Sequence, residues 1–175
     1  MTKQPNEPKI LLDSDVVRHF LKGHRILDLP KIYPNRLIML DVVRNELCRS
    51  RHIAGEVNNF ITYCRIEIKD FSGDIDIIRE YALLKKQFGD GESACMAVAK
   101  YDKQYIASSN LSDIRAYCIE NGITYLTTMD ILLDGVSNNI LTDGDCNQFI
   151  SEVKGKGSKL PTNTIQEYRK IKKLK

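Results

Sequence analysis

The residues best suited to chemistry are carboxylates at the junctions between apolar runs and amphipathic segments. The run KILL leads into Asp13-Ser14-Asp15, and RLIML leads into a segment that carries Glu46. Glu92 opens the small-residue stretch GESACMAVAKY, and YIAS leads through Ser108, Ser109 and Asn110 to Asp113. Crowded carboxylates raise one another's pKa unless a cation neutralises them. A hard divalent ion is the simplest remedy: Mg²⁺ takes one or two carboxylates plus waters and leaves positions for phosphate oxygens. Such an ion activates water and stabilises charge on a phosphoryl group in transfer. Other chemistries lack their patterns. His19, His24 and His52 are not at zinc spacing, and His19 and His24 read as surface helix and loop residues. There is no G-x-S-x-G, and Gly89-Asp90-Gly91 does not fit a Walker A loop.

Strands must carry these residues to one rim. Lys9–Asp13, Arg36–Leu40, Ile66–Ile68, Tyr105–Ser108 and Ile123–Thr127 read as short buried strands. Helical spacing recurs in Val16–Leu21, Val42–Arg49, Ile53–Cys64, Ile75–Lys85, Gly91–Tyr101, Ser112–Glu120 and Thr128–Leu133. Asp41 and Thr128 are expected to cap their helices, Gly89 to close one, and Leu29–Pro34 to be loop. Thr142 and Asp145 form a capping signal for a last helix to about Lys154. Alternation of this kind predicts a three-layer α/β/α fold with a central parallel sheet, whose ligands bind at the carboxyl ends of the strands. Each acid also has an ordinary use: Asp13 or Asp15 as a cap, Glu46 as an exposed helix residue, Glu92 and Asp113 as first-turn acids.

The chain has 175 residues, enough for one domain with a tail, and its 42% hydrophobic and 28% charged residues exclude wholesale disorder. Apolar runs of a few residues exclude a membrane span, and MTKQPNEPK lacks the apolar stretch of a signal peptide. Five scattered cysteines then favour reduced thiols in a cytoplasm. Residues 154–175 hold eight Lys or Arg and one acid, a net of +7, against −4 for the preceding 153. The expected organisation is a flexible segment at 1–8, a domain over 9–154 and a basic tail over 155–175, jointed at Gly155 and Gly157. In the tail Ile165, Tyr168, Ile171 and Leu174 recur at helical steps, which predicts an amphipathic helix docked on the body or on a second chain. The tail could equally track nucleic-acid phosphates or simply be solvated.

Over most of residues 9–135, the order and spacing of these segments resemble the PIN domain family of metal-dependent ribonucleases. ILLDSDVV is similar to the family's first strand and its aspartate, LDVVRNEL to the helix with its glutamate, and GDGESACMAVAK to the segment with its third acid. YIASSNLSDIRAY is similar to the T-x-[DN] strand and turn, and ITYLTTMDIL to the closing strand and helix. The resemblance implies a PIN-like endoribonuclease that uses Mg²⁺ or Mn²⁺ to hydrolyse RNA phosphodiesters, with water attacking in line to leave 5′-phosphate and 3′-hydroxyl ends. It puts Asp13, Glu46 and Glu92 in the metal-holding positions, Asp113 with them as a catalytic acid, and Asp15, Ser108, Ser109 and Asn110 in accessory ones. Arg115 or the tail lysines would hold phosphate. Many bacterial members are toxins of toxin–antitoxin pairs, so the partners implied are RNA, an antitoxin protein and, for assembly, a homodimer, with no membrane.

One departure is Ser109-Asn110, where stronger nucleases of the family carry aspartate. It keeps open a catalytically weak PIN-like module that binds RNA or protein. Asp13-Ser14-Asp15-Val16-Val17 also fits loosely the first motif of haloacid dehalogenase-like phosphatases, with IASSN resembling the second. That pattern needs a lysine and a later acid pair; here Asp143-Gly144-Asp145 precedes Lys154 and Lys156 instead of following them.

Overall fold

The computed structural model describes residues 7–173. Residues 1–6, within the predicted flexible start, and Leu174 of the tail stripe lie outside it. The fold is three-layer α/β/α around a five-stranded, wholly parallel sheet of order β3-β2-β1-β4-β5. The strands are β1 (Ile10–Leu12), β2 (Leu37–Leu40), β3 (Glu67–Lys69), β4 (Tyr105–Ala107) and β5 (Tyr125–Leu126). β1 is central, with Ile10 opposite Leu37 on one side and Tyr105 on the other. Its three residues and all of β2 are buried, as strands covered on both faces must be.

Ten α-helices are present among the described residues: α1 (Ser14–Lys22), α2 (Leu29–Ile32), α3 (Asp41–Cys48), α4 (Arg51–Cys64), α5 (Ile75–Leu84), α6 (Asp90–Asp102), α7 (Leu111–Asn121), α8 (Thr128–Ser137), α9 (Asp143–Gly155) and α10 (Ile165–Lys173). None is long and apolar enough to cross a membrane. α2 replaces the expected loop, because Pro30 sits in its first turn, where a missing N–H goes unnoticed. Gly89 does not close α5. It is the N-cap of α6, and its backbone N–H donates to Glu92 Oε2 at 3.4 Å. Leu40, not Asp41, holds the cap position of α3, and Thr127, boxed with Asp130, holds that of α8. Thr142 and Asp145 form the predicted box on α9. Gly122 ends α7 at φ 63, a left-handed conformation that suits glycine. All five cysteines are free.

Beyond α9 the chain folds back over the body. Leu160, Ile165 and Tyr168 are buried. Tyr168 Oη donates to Asp130 Oδ1 at 2.9 Å, Lys172 pairs with the same oxygen at 2.6 Å, and Arg169 pairs with Asp143 at 2.7 Å. Two of the tail's cations, with Ile165 and Tyr168 of its apolar stripe, thus hold α10 on α8 and α9.

Candidate functional site

β1 and β4 are neighbours whose onward connections run in opposite directions, β1 toward β2 and β4 toward β5. A crevice opens at the carboxyl ends of such a pair. Asp13 stands there, 2% exposed, with its backbone N–H donating to Ala107 O of β4 at 2.9 Å. Its extended backbone makes it the N-cap of α1, and Oδ1 accepts from Ser14 N at 2.7 Å. Ser14 Oγ donates to Glu46 Oε1 at 2.6 Å, which ties α1 to α3. Gly91, in the first turn of α6, closes against both carboxylates. A Cβ there would lie 2.7 Å from Glu46 Oε2 and 3.4 Å from Asp13 Oδ1, so these two oxygens are no more than about 6 Å apart. Only a residue without a side chain lets α6 approach so closely.

The β4 turn completes the cluster. Asp15 Oδ2 accepts from Ser109 N at 2.8 Å, and Oδ1 from Val16 N at 2.6 Å. Buried Ser108 accepts from Asn110 N at 3.3 Å. Ser109 Oγ accepts from Thr128 N at 2.9 Å and shares a hydrogen bond with Thr128 Oγ1, which meets His19 Nδ1 at 2.8 Å. His19 is therefore buried, not the surface residue expected, and burial drives its pKa down to about 4. The Asn110 amide nitrogen donates both to Glu92 Oε1 and, at 2.8 Å, to Asp113 Oδ2. Ser112 Oγ lies within hydrogen-bond distance of Asn110 Oδ1 and Asp113 Oδ1.

Asp13, Asp15, Glu46, Glu92 and Asp113 thus converge from four segments. None forms an ion pair with any described residue, although eleven ion pairs occur elsewhere among the described residues. The cost falls on their protonation. Burial, then the charge of Asp15, lifts Asp13 well above the usual carboxylate range. Asp15 is pushed up to about 6 by burial, against the pull of the Ser109 and Val16 N–H groups. Glu92 is raised by burial and by Asp113 and Glu46 nearby. The Cys95 thiol is raised first by its own burial, then by the same acids.

No three His, Cys, Asp or Glu among the described residues stand close enough to enclose a cation by themselves. The donor set is nonetheless all oxygen, negative and unneutralised. It suits an ion that keeps most of its waters and takes one or two carboxylates, as Mg²⁺ does. Arg115 is exposed, two residues and so about 200° around α7 from Asp113. Asp143 and Asp145, the acids a phosphatase motif would offer, pair with Arg169 and Arg25, and Arg25 lies beyond the end of α1 remote from Asp13. No protein-family model matches the chain, and no curated protein is similar to it in sequence.

Sequence reasoning missed three contributors: Ser14 as the bridge to Glu46, Gly91 as the point of closest approach, and His19 behind Ser109 and Thr128. Only Gly91 carried a signal, as a glycine inside a helix that otherwise favours alanine.

Proposed function

We propose that the chain is a PIN-like endoribonuclease that hydrolyses RNA phosphodiesters with the help of Mg²⁺ or Mn²⁺. The observation that carries this reading is the meeting of five carboxylates at the sheet's switch point with no basic partner. Asp13, Glu46 and Glu92 would hold the metal, directly or through its waters. The bound ion supplies charge neutralisation and an activated water for in-line attack at phosphorus. Asp113, oriented by Asn110 and Ser112, is the acceptor for that water's proton. Asp15 holds the Ser109 turn against α1, and Ser14 fixes Glu46. Burial of Asp13 keeps bulk water from screening the site. The role of toxin, with a protein antitoxin and a cytoplasmic setting, rests on the sequence resemblance alone.

A second reading, a PIN-like module that binds RNA without cutting it, is favoured by Asn110 in place of an acid. Incubating RNA with the protein in Mg²⁺, Mn²⁺ or EDTA, alongside Asp13→Asn and Glu92→Gln, separates the two. Metal-dependent cleavage to 5′-phosphate ends, lost in both variants, supports the nuclease. Cleavage that persists in EDTA or in Asp13→Asn overturns it, and RNA binding without cleavage supports the module.

A further inference from the structure

The Ser14–Glu46 hydrogen bond marks where α1 and α3 meet beside the acids. Four residues further along α1, a rise of about 6 Å, lies Arg18, and just beyond the end of α3 lies Ser50. Between them opens a cavity of about 450 Å³, which also reaches the end of α9. Its charged and titratable walls are Arg18, Lys22, His24, His52 and Lys156, with Glu56 as the one acid among them; Leu21 and Ile53 supply apolar surface.

Arg18, Lys22 and Lys156 form no ion pair with any described carboxylate. Lys22 Nζ donates to Lys156 O at 3.2 Å and to Ser158 Oγ at 2.7 Å. Lys156 Nζ donates to Lys22 O at 2.6 Å and lies 2.8 Å from His24 Nε2. None of these partners is a carboxylate, so the contacts fix both ammonium groups in place without pairing them to an acid. Arg18 makes no hydrogen bond or ion pair with any described residue. Glu152, behind the wall, comes no nearer to His24 than 4.0 Å. α4 also begins here without a side-chain cap, because Ser50 Oγ turns to the His52 ring. Its first N–H groups, at the positive end of a 14-residue helix, add to the same field.

We propose that this cavity seats a backbone phosphate of the RNA strand whose scissile bond lies at the acidic cluster, an inference that rests on the nuclease reading above. Arg18 and Lys22, about 6 and 12 Å along α1 from Ser14, span roughly two to four stacked nucleotides at 3.4 Å each. The pairing also meets an electrostatic need. The five acids repel an approaching polyanion, and the unpaired cations Arg18 and Lys22, one and two turns along α1 from Ser14, with Lys156 beside Lys22, offset that repulsion. Arg18 presents a planar fork suited to two phosphate oxygens, and the lysines act as point charges.

The test is fluorescence anisotropy of a labelled single-stranded RNA in EDTA, where no cleavage occurs, with Arg18→Ala, Lys156→Ala and Glu56→Gln. Arg18→Ala should bind roughly tenfold more weakly, as expected for loss of a charge-assisted hydrogen bond. Its log K against log salt slope should fall by about 0.7 for the phosphate given up. Glu56→Gln should bind more tightly, a gain that misfolding cannot produce. Unchanged RNA affinity and salt slope in all three variants, or no RNA binding by the wild type, would overturn the proposal. In a parallel arm, inorganic phosphate and a nucleoside monophosphate are assayed by thermal shift. Stabilisation of the wild type but not of Arg18→Ala, with RNA binding the same in both, would assign the cavity to a small phosphate ester and also overturn it. Because binding is read without metal, a failure of catalysis leaves these outcomes intact.

Discussion

Asn110→Asp tests the acidic site at its most unusual point. In the wild type one amide nitrogen donates to Glu92 Oε1 and to Asp113 Oδ2, so a neutral group holds two carboxylates together. An ionised carboxylate can donate to neither and adds a further negative charge. Hydrogen bonds to charged groups contribute about 1.5–3 kcal/mol each. Glu92 and Asp113 are only half-buried, which favours the lower figure. The two lost bonds then amount to about 3 kcal/mol, a large share of a domain's 5–15 kcal/mol. The loss has two remedies. Acidification lets the new carboxyl keep a proton and donate one bond. Divalent metal neutralises the cluster, and a ligand at a hundred times its Kd stabilises by about 2.7 kcal/mol. Urea unfolding should therefore show the variant about 3 kcal/mol less stable than wild type at pH 8 in EDTA, with the deficit reduced at pH 5.5 and in saturating Mg²⁺. Equal stability at pH 8 in EDTA, or a deficit indifferent to both pH and Mg²⁺, would refute the reasoning.

Asp15 supplies a pH signature. Its carboxyl titrates at about 6 in the fold against an ordinary 3.8. A raised carboxyl stabilises the fold below the lower value, and that contribution is lost as pH rises through the upper one, about 3 kcal/mol in all. Asp15→Asn gives up one acceptor, about 1 kcal/mol at every pH, but escapes the loss. Its stability relative to wild type should rise by about 1.5 kcal/mol between pH 5 and pH 8 in EDTA; a constant difference in urea melts would contradict this. Gly91→Ala gains about 1 kcal/mol of helix propensity yet sets a methyl 2.7 Å from Glu46 Oε2. The flexible Glu46 side chain must yield, so thermal melts should change little while metal-dependent cleavage drops sharply. Tyr168→Phe removes the hydroxyl that donates to buried Asp130 and should destabilise the fold by about 1–2 kcal/mol in urea melts, with α10 released first in hydrogen exchange.

The parallel sheet could be read from the sequence because KILL, RLIML and YIAS are apolar on both faces, a pattern few other environments produce. β3 was harder. As an edge strand it leaves Glu67 exposed, and the expected Ile66–Ile68 is displaced by one residue. The readings at Gly89, Asp41 and Thr128 misplaced element ends by a residue or exchanged one terminus for another. Glycine and short polar residues serve both ends of helices, and only the bond that the cap's backbone N–H gives to Glu92 or Asp130 decides between them. Asp13, Glu46, Glu92, Asn110 and Asp113 stood out because each follows a strand or opens a helix. Their mutual contacts did not, since the Asn110 bridge and the Gly91 approach depend on how α6 and α7 pack. Arg115 shows the limit of nearness in sequence: two residues after Asp113, it turns to the opposite side of α7.

The central position of β1 has a further consequence for how the protein reaches its native state. β1 is the first strand in the chain, yet one of its neighbours, β4, comes from far along it, with Ile10 opposite Tyr105, Leu11 opposite Ile106 and Leu12 opposite Ala107. Contacts of such long range form slowly, because a large loop must close first. Asp13 takes its place beside Asn110 and Asp113 only after that closure, and the event brings like charges together. Partly folded chains would therefore leave the acids dispersed. The arrival of a divalent ion would favour the final docking step, making assembly of the fold and capacity for chemistry a single event.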